Sequence, residues 1–301
     1  MRTQAAVPDI TAALAEVAQE VDATLDRLLP LHEDADGRLM EAIRYSTLSG
    51  GKRIRPFLVL SGAELFDVSR PFALRTAAAI EMVHSYSLIH DDLPAMDNDT
   101  LRRGMPTCHV RFDEATAILA GDGLLTRAFE VLADPATHTD PRVRADLVVE
   151  LARASGVDGM VGGQMLDLLA EHRTLGMAEV TRMQRMKTGA LIAFSCEAGA
   201  ILGKRSDGDR HALRAYAHDL GLAFQIVDDL LDIEGDAETV GKTTGKDTEA
   251  GKATFVSLLG VERARNQSAM LAHQAVEHLA VFGEAAEPLR SLASFIVERR
   301  N

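Results

Sequence analysis

The chain is predicted to fold entirely as α-helices, and three observations predict it. Apolar residues recur at intervals of three and four along most of its length, no stretch alternates convincingly in the manner of a strand, and the breaks are short and marked by Gly or Pro. The clearest helix lies between Asp9 and Leu29, where Ile10, Leu14, Val17, Val21, Leu25 and Leu28 form one apolar face. The same spacing, rich in Ala, Leu and Met, predicts helices over 56–66, 71–92, 110–133, 142–155, 178–202, 207–233, 254–281 and 286–299. Breaks fall at Gly50-Gly51, Pro71, Pro94, Gly104 to Pro106, Pro135, Pro141, Gly162-Gly163 and Gly203. None is long enough to be a linker and no repeat or low-complexity tract occurs, so residues 1–301 read as a single helical domain.

Composition narrows the function. Hydrophobic residues make up 47% of the chain and charged residues 26%, which is globular composition, and no apolar run reaches the roughly 20 residues a membrane-spanning helix needs. The N-terminal MRTQAAVPDI has no apolar stretch of a secretory signal behind it, so the expected location is the cytoplasm. The two cysteines, Cys108 and Cys196, stand far apart, which argues against a disulfide framework and a zinc site. A net charge of −13 disfavours nucleic acid and anionic membranes as general partners, and makes any local basic cluster more informative.

Two acidic clusters stand out. SLIHDDLPAMDND places Asp91, Asp92 and Asp97 at the end of an apolar helix, where a bulge near Pro94 would bring Asp97 back to the face of Asp91. FQIVDDLLDIEGD places Asp228, Asp229 and Asp232 in a DDxxD, with Asp228 and Asp232 one turn apart. Carboxylates crowded beside apolar residues have raised pKa values and destabilise a fold unless a cation neutralises them. Mg²⁺ suits this need, because it takes a few carboxylates and completes its shell with water and substrate phosphates. A lone DDxxD is as easily a solvated helix end; two such clusters, each behind an apolar run, favour a clamp for a diphosphate.

Basic residues lie where such a clamp needs them. Gly50-Gly51-Lys52-Arg53-Ile54-Arg55-Pro56 sets three cations at a glycine turn before a helix, where the backbone can approach an anion and Arg offers a planar fork. Arg102 and Arg103 follow the first acidic cluster, and His84 lies seven residues before Asp91 on the same helical face, either near the anion or simply structural. Lys187 and Thr188 interrupt an apolar helix, so Lys187 either reaches out to solvent or pairs with an anion. Lys242, Lys246 and Lys252 fall in GKTTGKDTEAGKAT, the longest polar stretch, which reads as a basic lid and not as a P-loop. Tyr86 sits five residues before Asp91, about 7.5 Å deeper along the helix, where a bulky ring can stop a growing chain or merely pack the core.

In order along the chain, GGKRIRP, HDDLPAMDND with LRRGMPTCH, AGDGLL, GGQMLDL, KTGALI, FQIVDDLLD, GKTTGKD and the ending LASFIVERRN resemble the short-chain head-to-tail trans-prenyltransferases, the bacterial farnesyl diphosphate synthases above all. The resemblance implies an all-α isoprenoid synthase bundle around a deep central cavity, usually a homodimer. It implies Mg²⁺ ligands at Asp91, Asp97 and Asp228, with Asp92, Asp229 and Asp232 beside them as ligands or supporting carboxylates. By the same resemblance Gly51, Lys52, Arg55, His84 and Arg103 hold the diphosphate of isopentenyl diphosphate. Arg102, Lys187, Thr188, Gln225, Lys242 and Lys252 surround the allylic diphosphate, and Asp91, Asp92, Arg102, Lys187, Asp228 and Asp229 carry the catalysis.

The chemistry implied is ionisation of an allylic diphosphate, attack on the cation by the isopentenyl double bond, and loss of a proton, with no side-chain nucleophile. Tyr86 with Ser87, together with the two-residue insertion in DDLPAMD, implies a product of fifteen carbons. A geranylgeranyl diphosphate synthase shares every chemical motif and is the nearest alternative. A terpene cyclase does not need GGKRIRP, and a non-catalytic partner subunit usually lacks an aspartate motif. One departure is Thr100, where close relatives carry another Asp outside the DDxxxxD spacing.

Overall fold

A computed structural model describes residues 9–31, 37–170, 173, 175–234 and 253–299. The chain enters through the predicted amphipathic helix, α1 (Ile10–Leu28), whose first turn is capped by the Asp9 carboxylate accepting from the Thr11 amide at 3.0 Å. Leu14, Val17, Val21 and Leu25 form its buried stripe. Then come α2 (Gly37–Thr47), α3 (Ile54–Glu64) and α4 (Arg70–Asp91), a minimal hairpin of β1 (Leu101–Arg102) and β2 (Met105–Pro106), and α5 (Cys108–Arg111), α6 (Glu114–Ala133), α7 (Pro141–Ser155) and α8 (Met160–Ala170). Next, α9 (Met177–Gln184), a π-helical turn (Arg185–Gly189) and α10 (Ala190–Leu202) run on continuously, followed by α11 (Asp207–Glu234). The C-terminal part holds α12 (Phe255–Leu259), α13 (Val261–His278), a 3₁₀ segment (Ala280–Ala286) and α14 (Glu287–Glu298).

The interior belongs to α3, α4 and α10. Every residue from Pro56 to Ala63 of α3 and from Thr76 to Val83 of α4 is buried, and so are Leu191 to Leu202 of α10 apart from Ala193. Helices apolar on all sides are the ones a bundle can place at its centre. Around them α6 lies along α4, α10 crosses α3, and α11 pairs with α13. A second apolar cluster gathers Leu175, Val180, Met183, Ile226, Leu230, Phe255 and Val256 beneath the end of α11. Tyr216, fully buried, ties α11 to α14 by donating to the Leu289 carbonyl at 2.7 Å.

The structure departs from the predicted elements where local chemistry cuts across periodicity. The predicted helix 110–133 breaks at Asp113, whose carboxylate caps α6 through the Thr116 amide at 2.7 Å. The predicted helix 254–281 breaks at Gly260, with φ 79°. The predicted break at Gly162-Gly163 falls in the first turn of α8, and α2 had no counterpart in the pattern reading. The expectation of no strand is corrected by β1 and β2, paired antiparallel across Arg103 and Gly104, both at positive φ as a tight hairpin requires.

Close helix contacts set the geometry. Gly199 of α10 rests on the backbone of Gly62 and Ala63 in α3, so that a Cβ there would run into main-chain atoms that cannot swing aside. Alanine in a helix gains up to about 1 kcal/mol over glycine, whereas overpacking costs about 1–3 kcal/mol and here the obstacle is backbone. Gly199→Ala is therefore expected to lower the thermal midpoint. Gly208→Ala, whose added methyl meets only the Ser206 hydroxyl at 3.6 Å, is expected to raise it slightly. Thermal unfolding of the two variants checks both signs.

Candidate active site

The first acidic cluster forms where α4 ends. The sequence reading expected a bulge in a continuing helix; instead α4 stops at Asp91, and a turn through Pro94 folds back so that the Asp97 amide donates to the Asp91 carbonyl at 2.9 Å. The result is the same: Asp97 is close enough to raise the pKa of Asp91. Burial is the larger cause of that rise, and Lys187 partly offsets it. Asp92, 3% exposed, points the other way and takes the Arg102 guanidinium, with Nε 2.9 and 2.8 Å from its two oxygens and Nη2 2.5 Å from one. Burial works to lower the pKa of Arg102, but Asp92, Asp91 and Asp97 outweigh it and hold the guanidinium charged.

Lys187 lies in the π-helical turn, an insertion that re-aims side chains and recurs at functional sites. Of its two sequence readings, pairing prevails: Nζ is 2.6 Å from Asp167 Oδ2 of α8, and Asp91 and Asp167 together overcome the burial that would lower its pKa. The approach of α8 depends on Gly163, whose absent side chain leaves room for the backbone of Lys187. One residue along α8, Gln164 donates from Nε2 to Asp91 Oδ1 at 2.5 Å. Thr188 donates to Gln225 Oε1 at 3.1 Å, and Gln225 Nε2 donates to Asp229 Oδ1 at 2.9 Å. Asp229, 4% exposed, also accepts from the Phe255 amide at 2.9 Å, which fixes the start of α12. Asp228 is half exposed and is bridged by Arg299, whose guanidinium carbon lies 4.1 Å from the centre of the Phe224 ring.

The three cations of the glycine turn part company. Arg53, at φ 47°, turns inward and is spent on structure, donating to Asp22, Glu81 and the Thr47 carbonyl at 2.9, 2.5 and 2.7 Å. Arg55 lines the central cavity, and its Nε is buried without a hydrogen-bond partner. Arg103 donates to the Gly50 carbonyl and lies where a side chain on Gly51 would stand, which together with φ 135° explains glycine there. Burial lowers Lys52, with Arg299 adding to that effect and Asp228 opposing it. His84 is held well below its ordinary pKa by burial and by the charges of Arg55, Arg103, Arg102 and Arg53, so its imidazole is neutral beside a cluster of guanidiniums.

These groups border a cavity of about 520 Å³. Its polar lining is Arg55, His84, Asp91, Gln164, Lys187 and Thr188, and the rest is mainly apolar, including Leu93, Met96, Met160, Met165, Leu168 and Leu191. Tyr86 and Ser87 also line it; Tyr86 is 6% exposed and stands edge-on to His90, ring centres 5.6 Å apart. Burial alone raises the Tyr86 phenol to about 12. Thus Arg55, His84, Tyr86, Ser87, Asp91, Lys187 and Thr188 share one cavity. Gln225, Asp228 and Asp229 are tied to it through Thr188 and through the charge that Asp228 exerts on Arg55. Asp232 lies one turn beyond Asp228 on α11, whereas Lys242, Lys246 and Lys252 lie outside the described residues. Sequence reasoning gave no role to Gln164, Asp167, Glu81 and Arg299; the i, i+3 pair in GGQMLDL was the available signal for the first two.

The donor set fits magnesium chemically: Asp91 and Asp97 offer oxygens, and Asp91 is a buried carboxylate whose pKa burial raises, a cost that a bound cation would relieve. Among the described residues no three acidic, His or Cys side chains form a ready-made metal cage, so a cation here would rely on water and substrate oxygens as well.

An apolar cavity in a helical bundle, lined by Arg55, Lys187 and Asp91 and linked through Thr188 and Gln225 to the second aspartate cluster, defines an enzyme class that handles apolar chains carrying diphosphates. The chain belongs to the polyprenyl synthetase family, whose sequence model matches residues 36–285. It is 47% identical over 268 residues to the farnesyl diphosphate synthase of Escherichia coli (strain K12), covering 87% of this chain and 89% of that protein. It is 44% identical over 291 residues to geranylgeranyl pyrophosphate synthase 3, chloroplastic, of Arabidopsis thaliana, covering 94% of this chain and 80% of that protein. The apo crystal structure of an FPP/GFPP synthase from Zymomonas mobilis superposes with a TM-score of 0.89 at 51% identity, over 96% of this chain and 99% of that one.

The raised Asp91 has a thermodynamic signature. An acid with a folded pKa above its unfolded value binds more protons when folded, so its share of stability falls as pH rises through that window. In chelator, Asp91→Asn is therefore expected to raise the urea midpoint at neutral pH, the gain vanishing below about pH 4. A lower midpoint would mean that attraction to Lys187 outweighs burial.

Proposed function

We propose that the chain is a magnesium-dependent trans-prenyltransferase that condenses isopentenyl diphosphate head to tail with dimethylallyl or geranyl diphosphate, ending at farnesyl diphosphate. The observation that carries this reading is one cavity that brings Arg55, Lys187 and Asp91 together with a mainly apolar lining that includes Tyr86. The fold is proposed to act as one domain, paired as a homodimer in the cytoplasm. No described helix is long and apolar enough to cross a membrane.

Asp91 and Asp97 on one side, and Asp228 with Asp232 on the other, would hold the cations. Asp92 and Asp229, whose oxygens are taken by Arg102 and by Gln225 and the Phe255 amide, serve to position rather than to ligate. Bound Mg²⁺ supplies Lewis-acid neutralisation of the leaving diphosphate. Arg102 and Lys187, both held protonated by carboxylates, meet the charge that develops as the allylic C–O bond breaks and its electron pair leaves with the diphosphate. Gly51, Lys52, Arg55, His84 and Arg103 hold the second diphosphate, which aims the isopentenyl double bond at the allylic carbon. The donor role of Thr188 toward Gln225 leaves its oxygen lone pairs for the cation. The new C–C bond forms from the isopentenyl π electrons, and the proton lost from the adjacent carbon restores a double bond, with the departed diphosphate as its acceptor. The apolar lining keeps water from the cation.

The second reading, a twenty-carbon product, has the support of a geranylgeranyl synthase relative nearly as similar as the farnesyl one. The buried ring of Tyr86 in the cavity lining supports the shorter product.

Purified protein given isopentenyl diphosphate, an allylic diphosphate and Mg²⁺ is expected to yield mainly a C15 product that disappears with EDTA. Asp91→Ala and Asp228→Ala are each expected to lose activity by roughly two orders of magnitude or more while keeping the helical circular dichroism spectrum. Full turnover in both would sink the clamp assignment. Tyr86→Ala is expected to shift the product to C20 or longer at near-normal turnover; an unchanged C15 product would place the floor of the cavity elsewhere.

A further inference from the structure

The cradle assigned above to isopentenyl diphosphate contains a carboxylate that no part of that assignment uses. Glu81 is 3% exposed and lies one helical turn before His84 on α4, hence on the same face. Its Oε1 accepts from Arg53 Nη1 at 2.5 Å, and the Arg53 side chain is 1% exposed. Arg53 donates at the same time to Asp22 and to the Thr47 carbonyl, so it is held without needing Glu81 for every bond. A buried carboxylate costs several kcal/mol of desolvation, and a turn can be anchored without one.

The wider charge balance gives Glu81 a second purpose. Among the charges that favour the guanidinium form, Glu81 is the largest at both Arg55, which is half-buried, and Arg103, which is exposed. Arg55 Nε has no hydrogen-bond partner, Arg103 leans on one carbonyl, and His84 beside them stays neutral. Without Glu81 the buried Arg53 and the half-buried Arg55 would be left to Asp22 and Asp228, which lie toward the solvent edge of the cradle.

We propose that Glu81 is the built-in counter-ion of this cradle, a fixed negative charge that stabilises the empty site and thereby sets how tightly it holds the incoming diphosphate. The proposal rests on the reading of the cradle as a diphosphate site. Arg53 is its other half: it draws Glu81 away from Arg55 and Arg103 and leaves them available to the ligand. The two residues touch no substrate and act as positioning residues.

The consequence is a pair of opposite effects that a purely structural role cannot produce. Calorimetric titration of inorganic diphosphate, without divalent cation, is expected to show binding tightened about three- to tenfold in Glu81→Gln and weakened by a similar factor in Arg53→Gln. Glu81→Gln is also expected to lower the KM for isopentenyl diphosphate with little change in that for the allylic diphosphate, although the ligand-free protein melts earlier. Weakening in both variants would make the pair merely structural and overturn the proposal. If Glu81→Gln does not fold, Asp22→Asn removes the other carboxylate of the cluster at its solvent edge; binding tightened about twofold supports the proposal, and unchanged or weaker binding overturns it. Arg55→Ala separates the two levels of the argument. If it binds diphosphate as well as the native chain does, the cradle assignment itself fails and Glu81 loses its role with it.

Discussion

Charge burial is the constraint on which this structure depends. A cavity that must separate a diphosphate from a hydrocarbon cation needs strong fields in a dry place, and an empty site with strong fields destabilises the fold. The chain answers by internal pairing: Arg102 with Asp92, Lys187 with Asp167, Arg53 with Glu81, and Arg299 with Asp228. What these pairs leave incompletely compensated is as telling. Burial raises the pKa of Asp91 despite the charge of Lys187, and Arg55 keeps a buried Nε with no hydrogen-bond partner. A cation at the first and an anion at the second would complete the balance.

Backbone contact carries the positioning. Gly199 lets α10 lie on α3, and Gly163 lets α8 lie on the π-helical turn. The second contact brings Gln164 to Asp91 and Asp167 to Lys187 in one step, because side chains three apart on a helix share a face. The Thr188–Gln225–Asp229–Phe255 chain of hydrogen bonds then joins that turn to the second aspartate cluster. Displacement of α8 would therefore disturb a lysine, a carboxylate and the link to α11 at once.

Much of this was legible in the sequence, for definite reasons. The helices at 9–29, 71–92 and 207–233 have strong periodicity or long apolar runs and appear with boundaries shifted by a residue or two. The aspartate clusters and GGKRIRP announced themselves because several like charges so close together need an explanation. Gln164 and Asp167 stayed hidden because Gly162-Gly163 reads locally as a helix end, and only the proximity of the Lys187 backbone turns those glycines into packing residues. Arg53 shows the converse error available to pattern reading: its charge sits in the anion-binding motif, yet its side chain turns inward to Glu81. Glu81 itself looks like one acidic residue in an apolar helix, and its weight comes from guanidiniums delivered by two distant segments, the glycine turn and the hairpin.

Chemistry and product length are separable in this architecture. The charged side chains lie where the glycine turn, the hairpin and the π-helical turn meet α4, whereas Tyr86 stands on α4 where the cavity lining is mainly apolar. Ionisation is governed by charges whose influence falls with distance, while growth is stopped by contact with a ring. A change at Tyr86 alters the space available to the hydrocarbon tail and leaves the pairs around Asp91 and Lys187 as they are. Relatives of comparable similarity are named for products of different length. In this chain the buried ring of Tyr86 lines the cavity edge-on to His90, whose own place is secured by the Ile118 carbonyl and the missing side chain of Gly121, which is why Tyr86 is the residue proposed to limit that length.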